Sequence, residues 1–156
     1  MQDYPSRFYI TSGYGKSKYP LVAFDEALRH ARIADYNLIK ISSILPKCCK
    51  WTTLNDLPQR GSGLLTAYGS ISCNMKDVTI ASAVSVAIPE DPNEVGVIME
   101  YAGHCSAQYA EEQVRLMATE AMQNRERAVK EIRSSSIERV SDGEGYTSVI
   151  SAICIW

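Results

Sequence analysis

The 156-residue sequence holds no apolar run near the roughly 18 residues that cross a bilayer, so no membrane-spanning helix is expected. Its first residues, Met1-Gln2-Asp3-Tyr4-Pro5, offer neither a basic start nor an apolar stretch. That argues against a secretory leader and makes the cytoplasm the expected compartment. An excess of one charge is missing too. Sixteen Lys and Arg face eighteen Asp and Glu, a net charge of −2, which excludes bulk attraction to nucleic acid or to an anionic membrane. Histidine is scarce, with only His30 and His104, and the five cysteines (Cys48, Cys49, Cys73, Cys105, Cys154) form no C-x-x-C pair. Neither a four-thiolate zinc site nor a disulfide framework fits that set, and no metal is expected. No segment repeats, and none is of low complexity.

What is present is an ordinary globular balance, 46 % hydrophobic and 22 % charged, in a length that suits one domain over residues 1–156. Arg7–Ser12 is rich in aromatic and β-branched residues and reads as a strand, followed by a loop over 13–18. Pro20 suits the first position of a helix, and Leu21, Phe24, Leu28 and Ala31 recur at helical spacing, which predicts a helix over 20–33. Residues 37–45 read as one extended segment ended by Pro46, then a loop over 47–62. Strands are expected over 65–73, 78–88, 95–101, 129–140 and 146–156, with a turn at Pro89–Asn93 and another at Asp142-Gly143. Ser106 is a candidate N-cap for a second helix whose apolar stripe is Ala110, Val114, Met117, Ala118, Ala121 and Met122. Two helices and six or seven strands, joined mostly as meanders, make an α+β sandwich the economical architecture.

Glu100 is conspicuous because it lies in the otherwise apolar run Val95–Tyr101. A carboxyl drawn into such surroundings holds its proton toward neutral pH and can serve as a general acid. Strand alternation could instead turn it to solvent, or a basic residue could pair with it. The adjacent Ser42 and Ser43 lie within the segment Asn37-Leu38-Ile39-Lys40-Ile41-Ser42-Ser43-Ile44-Leu45-Pro46. No Gly-x-Ser-x-Gly elbow surrounds them, so a hydrolase triad has no support, and by themselves such serines are local hydrogen-bonders. His104-Cys105 is a poor nucleophile pair, since neighbouring side chains on a strand point to opposite faces.

That serine segment resembles the processing site of the pyruvoyl-dependent arginine decarboxylases. Leu21–Leu28, Leu57-Pro58, Thr66-Ala67-Tyr68-Gly69, Ala87–Asp91 and Val97–Ser106 also resemble blocks of that family, in the family's order over nearly the whole chain. The resemblance implies a four-layer αββα sandwich with mostly antiparallel sheets, assembled as a homotrimer with its sites at or near subunit interfaces. It implies self-cleavage between Ser42 and Ser43: the Ser43 hydroxyl attacks the Ser42 carbonyl, an ester forms, and elimination and loss of ammonia leave a covalent pyruvoyl group at residue 43. The ketone then forms a Schiff base with the substrate amine and draws electrons as carbon dioxide leaves.

By the same resemblance Glu100 is the proton donor, Asn37 donates to the oxyanion of the cleavage step, and Asp25 binds the substrate guanidinium through two parallel N–H bonds. Leu21 and Phe24 would wall the pocket. Taken without the resemblance, Asn37 is a turn residue at a strand start and Asp25 a first-turn carboxylate at the positive end of a helix. The implied activity is conversion of L-arginine to agmatine and carbon dioxide, in the context of polyamine supply. Two other readings stay open: the same chemistry on another amino acid, or an uncleaved, inactive homologue that acts as a binding or regulatory subunit. The chain departs from the family pattern at Tyr14, Lys16 and Lys18, at the bulky, charged stretch Arg29–Asp35, and by one added residue in loop 58–65.

Overall fold

The structure is a computed structural model and describes residues 4–156. In chain order the elements are β1 (Arg7–Ser17), α1 (Pro20–His30), β2 (Asn37–Lys40), β3 (Ile44–Leu45), β4 (Lys50–Trp51), β5 (Gly63–Cys73), β6 (Lys76–Pro89), β7 (Gly96–Gly103), α2 (Ala107–Asn124), β8 (Val129–Asp142) and β9 (Tyr146–Ile155). One sheet runs β2-β5-β9-β1-β4 and the other β3-β7-β6-β8. Pairing is antiparallel except for β1 with β4 and β2 with β5, which are parallel.

The layer order follows from side-chain alternation. On β9 the buried residues Ile150, Ala152 and Cys154 pack with Ala27 and Leu28 of α1 and with Ala31 just after it. Their neighbours Ile153 and Ile155 pack instead with Phe8, Ala67, Val84, Val86 and Ile98, drawn from both sheets. A strand buried on both faces needs a cover on each, and β9 sits at the centre of its sheet. Helix α2 covers the second sheet with Ala110, Val114, Ala118 and Met122. The result is the expected αββα sandwich with mostly antiparallel sheets.

Helix α2 starts where Ser106 accepts a hydrogen bond from the Tyr109 N–H at 3.1 Å, which satisfies one of the free donors of the first turn. Helix α1 has no side-chain cap and begins with Pro20 in the first turn. It ends at His30, three residues earlier than its spacing predicts, with Ala31 as its C-cap, because Arg32 turns into the left-handed region at φ 67°.

Two expectations about connectivity are corrected. The stretch 13–17 is strand rather than loop: β1 stays paired with β9 out to Ser17 and Tyr146. A Cβ at Gly13 would meet the Ala27 carbonyl oxygen at 2.2 Å, so its glycine serves helix–sheet contact and not a turn. The strands are also not mainly meanders. Consecutive β5 and β6, and consecutive β8 and β9, lie in different sheets, so each tight turn carries the chain across the sandwich.

Candidate active site

Residues 37–45 are not one strand. Asn37–Lys40 pairs with β5 in the first sheet, and Ile44–Leu45 pairs with β7 in the second. The chain therefore crosses from sheet to sheet at Ile41-Ser42-Ser43, where the sandwich is pinned at one edge. Backbone bonds hold this crossing. Ile41 N–H donates to the Thr66 carbonyl at 3.1 Å on one side, and Ile98 N–H donates to the Ser43 carbonyl at 2.8 Å on the other. Between them, Ile44 N–H donates to the Ser42 carbonyl at 2.9 Å, closing a three-residue turn around Ser43. Ser42 is exposed and Ser43 half-buried, in a bend. The Ser42 carbonyl is thus polarised by a fixed backbone donor, and the next residue brings a hydroxyl.

Glu100 lies two residues along β7 from Ile98, the residue whose amide holds Ser43, and both point into the sandwich. Its strand partner Val84 belongs to the inter-sheet core. Room for the carboxyl comes from Gly69 on the facing sheet: a Cβ there would stand 3.4 Å from Glu100 Cβ and 3.2 Å from the Tyr101 carbonyl oxygen. Glu100 is half-buried, and its Oε2 is fully enclosed without a hydrogen-bond partner. Burial pushes its pKa above the ordinary carboxyl value, and the positive charge of Lys40 opposes that rise. Neither bland alternative holds, because Glu100 faces inward and has no ion-pair partner among the described residues. An enclosed oxygen without a donor is best served by the neutral acid.

The remaining expected residues lie elsewhere in the chain. Asp25 is exposed and is the sixth residue of α1, beyond the first turn, which corrects the reading of it as an N-terminal dipole partner. It sits on the flank of α1 next to Phe24, whose ring lies 6.3 Å from that of Tyr68. Leu21 is exposed and encloses nothing within one protomer. Asn37 opens β2; its backbone N–H donates to Ser62 O and its Nδ2 to Gly61 O, each at 2.9 Å. At about 3.3 Å per residue, it stands on the order of 15 Å from Ser42, too far to reach that carbonyl. The structure ties the Ser42–Ser43 crossing to the strand that carries Glu100, and places Asp25 on α1 and Asn37 at the start of β2.

Sequence reasoning missed Lys40. Its Nζ lies 4.6 Å above the Tyr68 ring, three residues before Ser43, and acts on Glu100. Its only signal was its place in the serine segment. His104 and Cys105 sit in a bend after β7 and not on a strand; burial, helped by the nearby Glu138 charge, raises the Cys105 pKa, which disfavours the nucleophilic thiolate. Among the described residues no group of three His, Cys, Asp or Glu could hold a metal ion, and no helix is long and apolar enough to cross a membrane.

A family model described as pyruvoyl-dependent arginine decarboxylase matches residues 7–156. The chain belongs to that family. Among curated relatives, the pyruvoyl-dependent arginine decarboxylase of Methanocaldococcus jannaschii is 38 % identical over 96 % of this chain and 90 % of its own length. That of Methanococcus aeolicus is 38 % identical over 97 % and 90 %, and that of Pyrococcus abyssi 40 % identical over 76 % and 75 %. A solved pyruvoyl-dependent histidine decarboxylase superposes with a TM-score of 0.49 at 16 % identity, covering 61 % of this chain and 51 % of that one, too loose a match to bear on chemistry.

The family's covalent pyruvoyl cofactor fits the residues present. A group made from residue 43 would stand at the sheet crossing, held through its own carbonyl by Ile98 N–H. It would face the inward side of β7, where the enclosed Glu100 oxygen has no partner.

Proposed function

We propose that this chain cuts its own backbone between Ser42 and Ser43 and, in the resulting two-chain form, decarboxylates L-arginine to agmatine and carbon dioxide. One observation carries the reading: the partnerless Glu100 oxygen lies on the inward face of β7, two residues from the amide that holds Ser43. In the cleavage step the Ser43 Oγ bonds to the Ser42 carbonyl carbon, and the amide nitrogen leaves and takes the hydroxyl proton; loss of the residue-43 α-proton then breaks the Cβ–Oγ bond of the ester, which frees the Ser42 carboxylate and leaves a dehydroalanine whose nitrogen water displaces as ammonia. Ile44 N–H steadies the oxygen on which charge develops. A pyruvoyl group at residue 43 would supply a ketone for the substrate amine and a sink for the electrons released with carbon dioxide.

Glu100 then gives the proton that replaces the lost carboxyl group. Asp25 binds the substrate guanidinium and Asn37 assists the oxyanion of cleavage, and both come from a neighbouring protomer of a trimer. Their distance from Ser43 within one chain supports that division. So do the exposed apolar side chains Tyr19, Leu21 and Val22 near Asp25, and Ile39 and Ile44 beside the crossing. The protein works in the cytoplasm.

Intact-mass measurement of the purified chain tests the reading, followed by an assay for agmatine. The expected products are fragments 1–42 and 43–156, the second without a free N-terminal amine. Ser43→Ala stays whole and inactive. A wild-type chain that remains whole after prolonged incubation and releases no agmatine overturns the proposal in favour of an inactive binding subunit.

A further inference from the structure

The inter-sheet core is interrupted by an unbroken row of hydroxyls. Ser135 Oγ lies 2.7 Å from Ser12 Oγ, Ser12 Oγ 2.7 Å from Ser151 Oγ, and Ser151 Oγ 3.0 Å from Ser82 Oγ. In every pair either oxygen can be the donor. Ser82 and Ser151 are fully buried, whereas Ser12 and Ser135 are only half-buried, so one end of the row meets solvent. Apolar clusters lie on both sides, Val84, Val86 and Ile98 on one and Cys73, Ile80 and Val149 on the other. Four hydroxyls there replace side chains that would bury apolar surface, a costly choice for a core.

The inner end of the row lies beside Glu100. In one sheet Ser12, Ser151 and Gly69 are direct neighbours in register, and Gly69 is the residue facing Glu100. In the other sheet Ser135, Val84 and Glu100 are neighbours in the same way. Ser82 is two residues from Val84 on the same face, which makes it a diagonal neighbour of Glu100 at about 7–8 Å between backbones, within reach of a long side chain.

We propose that Ser12, Ser82, Ser135 and Ser151 form a proton relay that reloads Glu100 from solvent at the β1–β8 edge. The inference rests on Glu100 being the proton donor of the proposed reaction. Each turnover removes one carboxyl group as carbon dioxide and consumes one proton at the carbon left behind. Glu100 is then a carboxylate and must be recharged while substrate or product fills the path through the site. The relay requires a turn of the Glu100 side chain, whose enclosed oxygen has no hydrogen-bond partner, to bring it to the inner hydroxyls. The four hydroxyl hydrogens shift together, each to the next oxygen: Ser82 gives one to the carboxylate, and Ser135 takes one from a hydronium ion or buffer acid in solvent, which is left as water or the conjugate base. No serine carries a charge, and one proton enters for each one delivered.

Ser82→Ala and Ser151→Ala test this with two readouts. In rapid-mixing experiments the first agmatine per site forms at the wild-type rate, since Glu100 starts protonated, and later turnovers slow by roughly tenfold. That loss is smaller than the roughly hundredfold or more expected when the acid itself is removed. In the substrate-free protein, the infrared band of the protonated Glu100 carboxyl recovers after a pH jump more slowly by the same factor, and Ser151→Thr, which keeps the hydroxyl, restores it. Unchanged recovery and turnover in folded variants overturn the relay. So does equal slowing of the first and later turnovers, which marks a role in packing alone. If neither variant folds, Ser12→Ala cuts the row at its half-exposed end, and a wild-type recovery rate there overturns the relay equally. Normal turnover by Glu100→Gln removes the proton-donor reading itself, a failure separable from that of the serines.

Discussion

In the proposed reaction Glu100 concentrates the chemistry in one side chain. A general acid works only while protonated, so turnover falls as pH rises through its pKa, which burial has raised. Glu100→Gln keeps the shape and loses the proton, and turnover should drop by roughly 10²- to 10⁴-fold while the melting temperature changes little. Lys40 opposes the effect of burial, so its removal must raise the Glu100 pKa further. Lys40→Met should therefore move the alkaline fall of kcat to higher pH, and Lys40→Arg, which keeps the charge, should leave it in place. A limb that stays put or moves down in Lys40→Met would show that this charge does not govern the acid. Glu100 was legible in the sequence because one carboxylate in an apolar strand is conspicuous. Its direction was not, because alternation can be counted only from a residue whose face is known. The same limit hid the relay serines, which look like ordinary strand polar residues until two sheets are stacked.

Elements were legible where one period ran uninterrupted, and misread where glycine or a change of sheet intervened. Helix α2 carries its stripe and its Ser106 cap openly. Gly13 and Gly15 look like a turn, yet they lie in mid-strand because α1 rests directly on β1, with Ala31 O accepting from the buried Thr11 Oγ1 at 2.8 Å. Gly13→Ala forces a methyl group against the Ala27 carbonyl oxygen. It should cost about 1–3 kcal/mol in urea unfolding, the usual range for an overpacked contact. An unchanged midpoint would show that α1 can lift from the sheet without loss. Residues 37–45 carry one extended pattern, and nothing local marks the place where they leave β5 for β7. That break places Ser43 beside the Glu100 strand, so the most consequential feature of the site was set by long-range pairing.

At the level of the whole molecule, one protomer holds only part of the proposed site. Helix α1 lies on the outer face of the first sheet, whereas Glu100 and the Ser42–Ser43 crossing belong to the space between the sheets. A guanidinium bound to Asp25 in the isolated protomer would remain in water, where such a pair is worth little. Leu21 is 77 % exposed beside it, and Ile39, on the strand leading to the crossing, is 50 % exposed. Covering these surfaces with a second copy would dry the ion pair and bring Asp25 to a neighbour's residue 43, an arrangement that cyclic symmetry repeats at every interface. Composition could not reveal this, because apolar side chains occur singly on most surfaces. Complementation follows from that geometry. Asp25→Ala should cleave itself yet turn over arginine poorly, and Ser43→Ala should neither cleave nor turn over. Mixed, unfolded and reassembled together, the two variants should recover a fraction of wild-type agmatine formation, since some interfaces pair an intact Asp25 with an intact residue 43. Recovery no greater than the sum of the separate variants would place Asp25 and residue 43 in the same protomer's site and remove the case for a shared one.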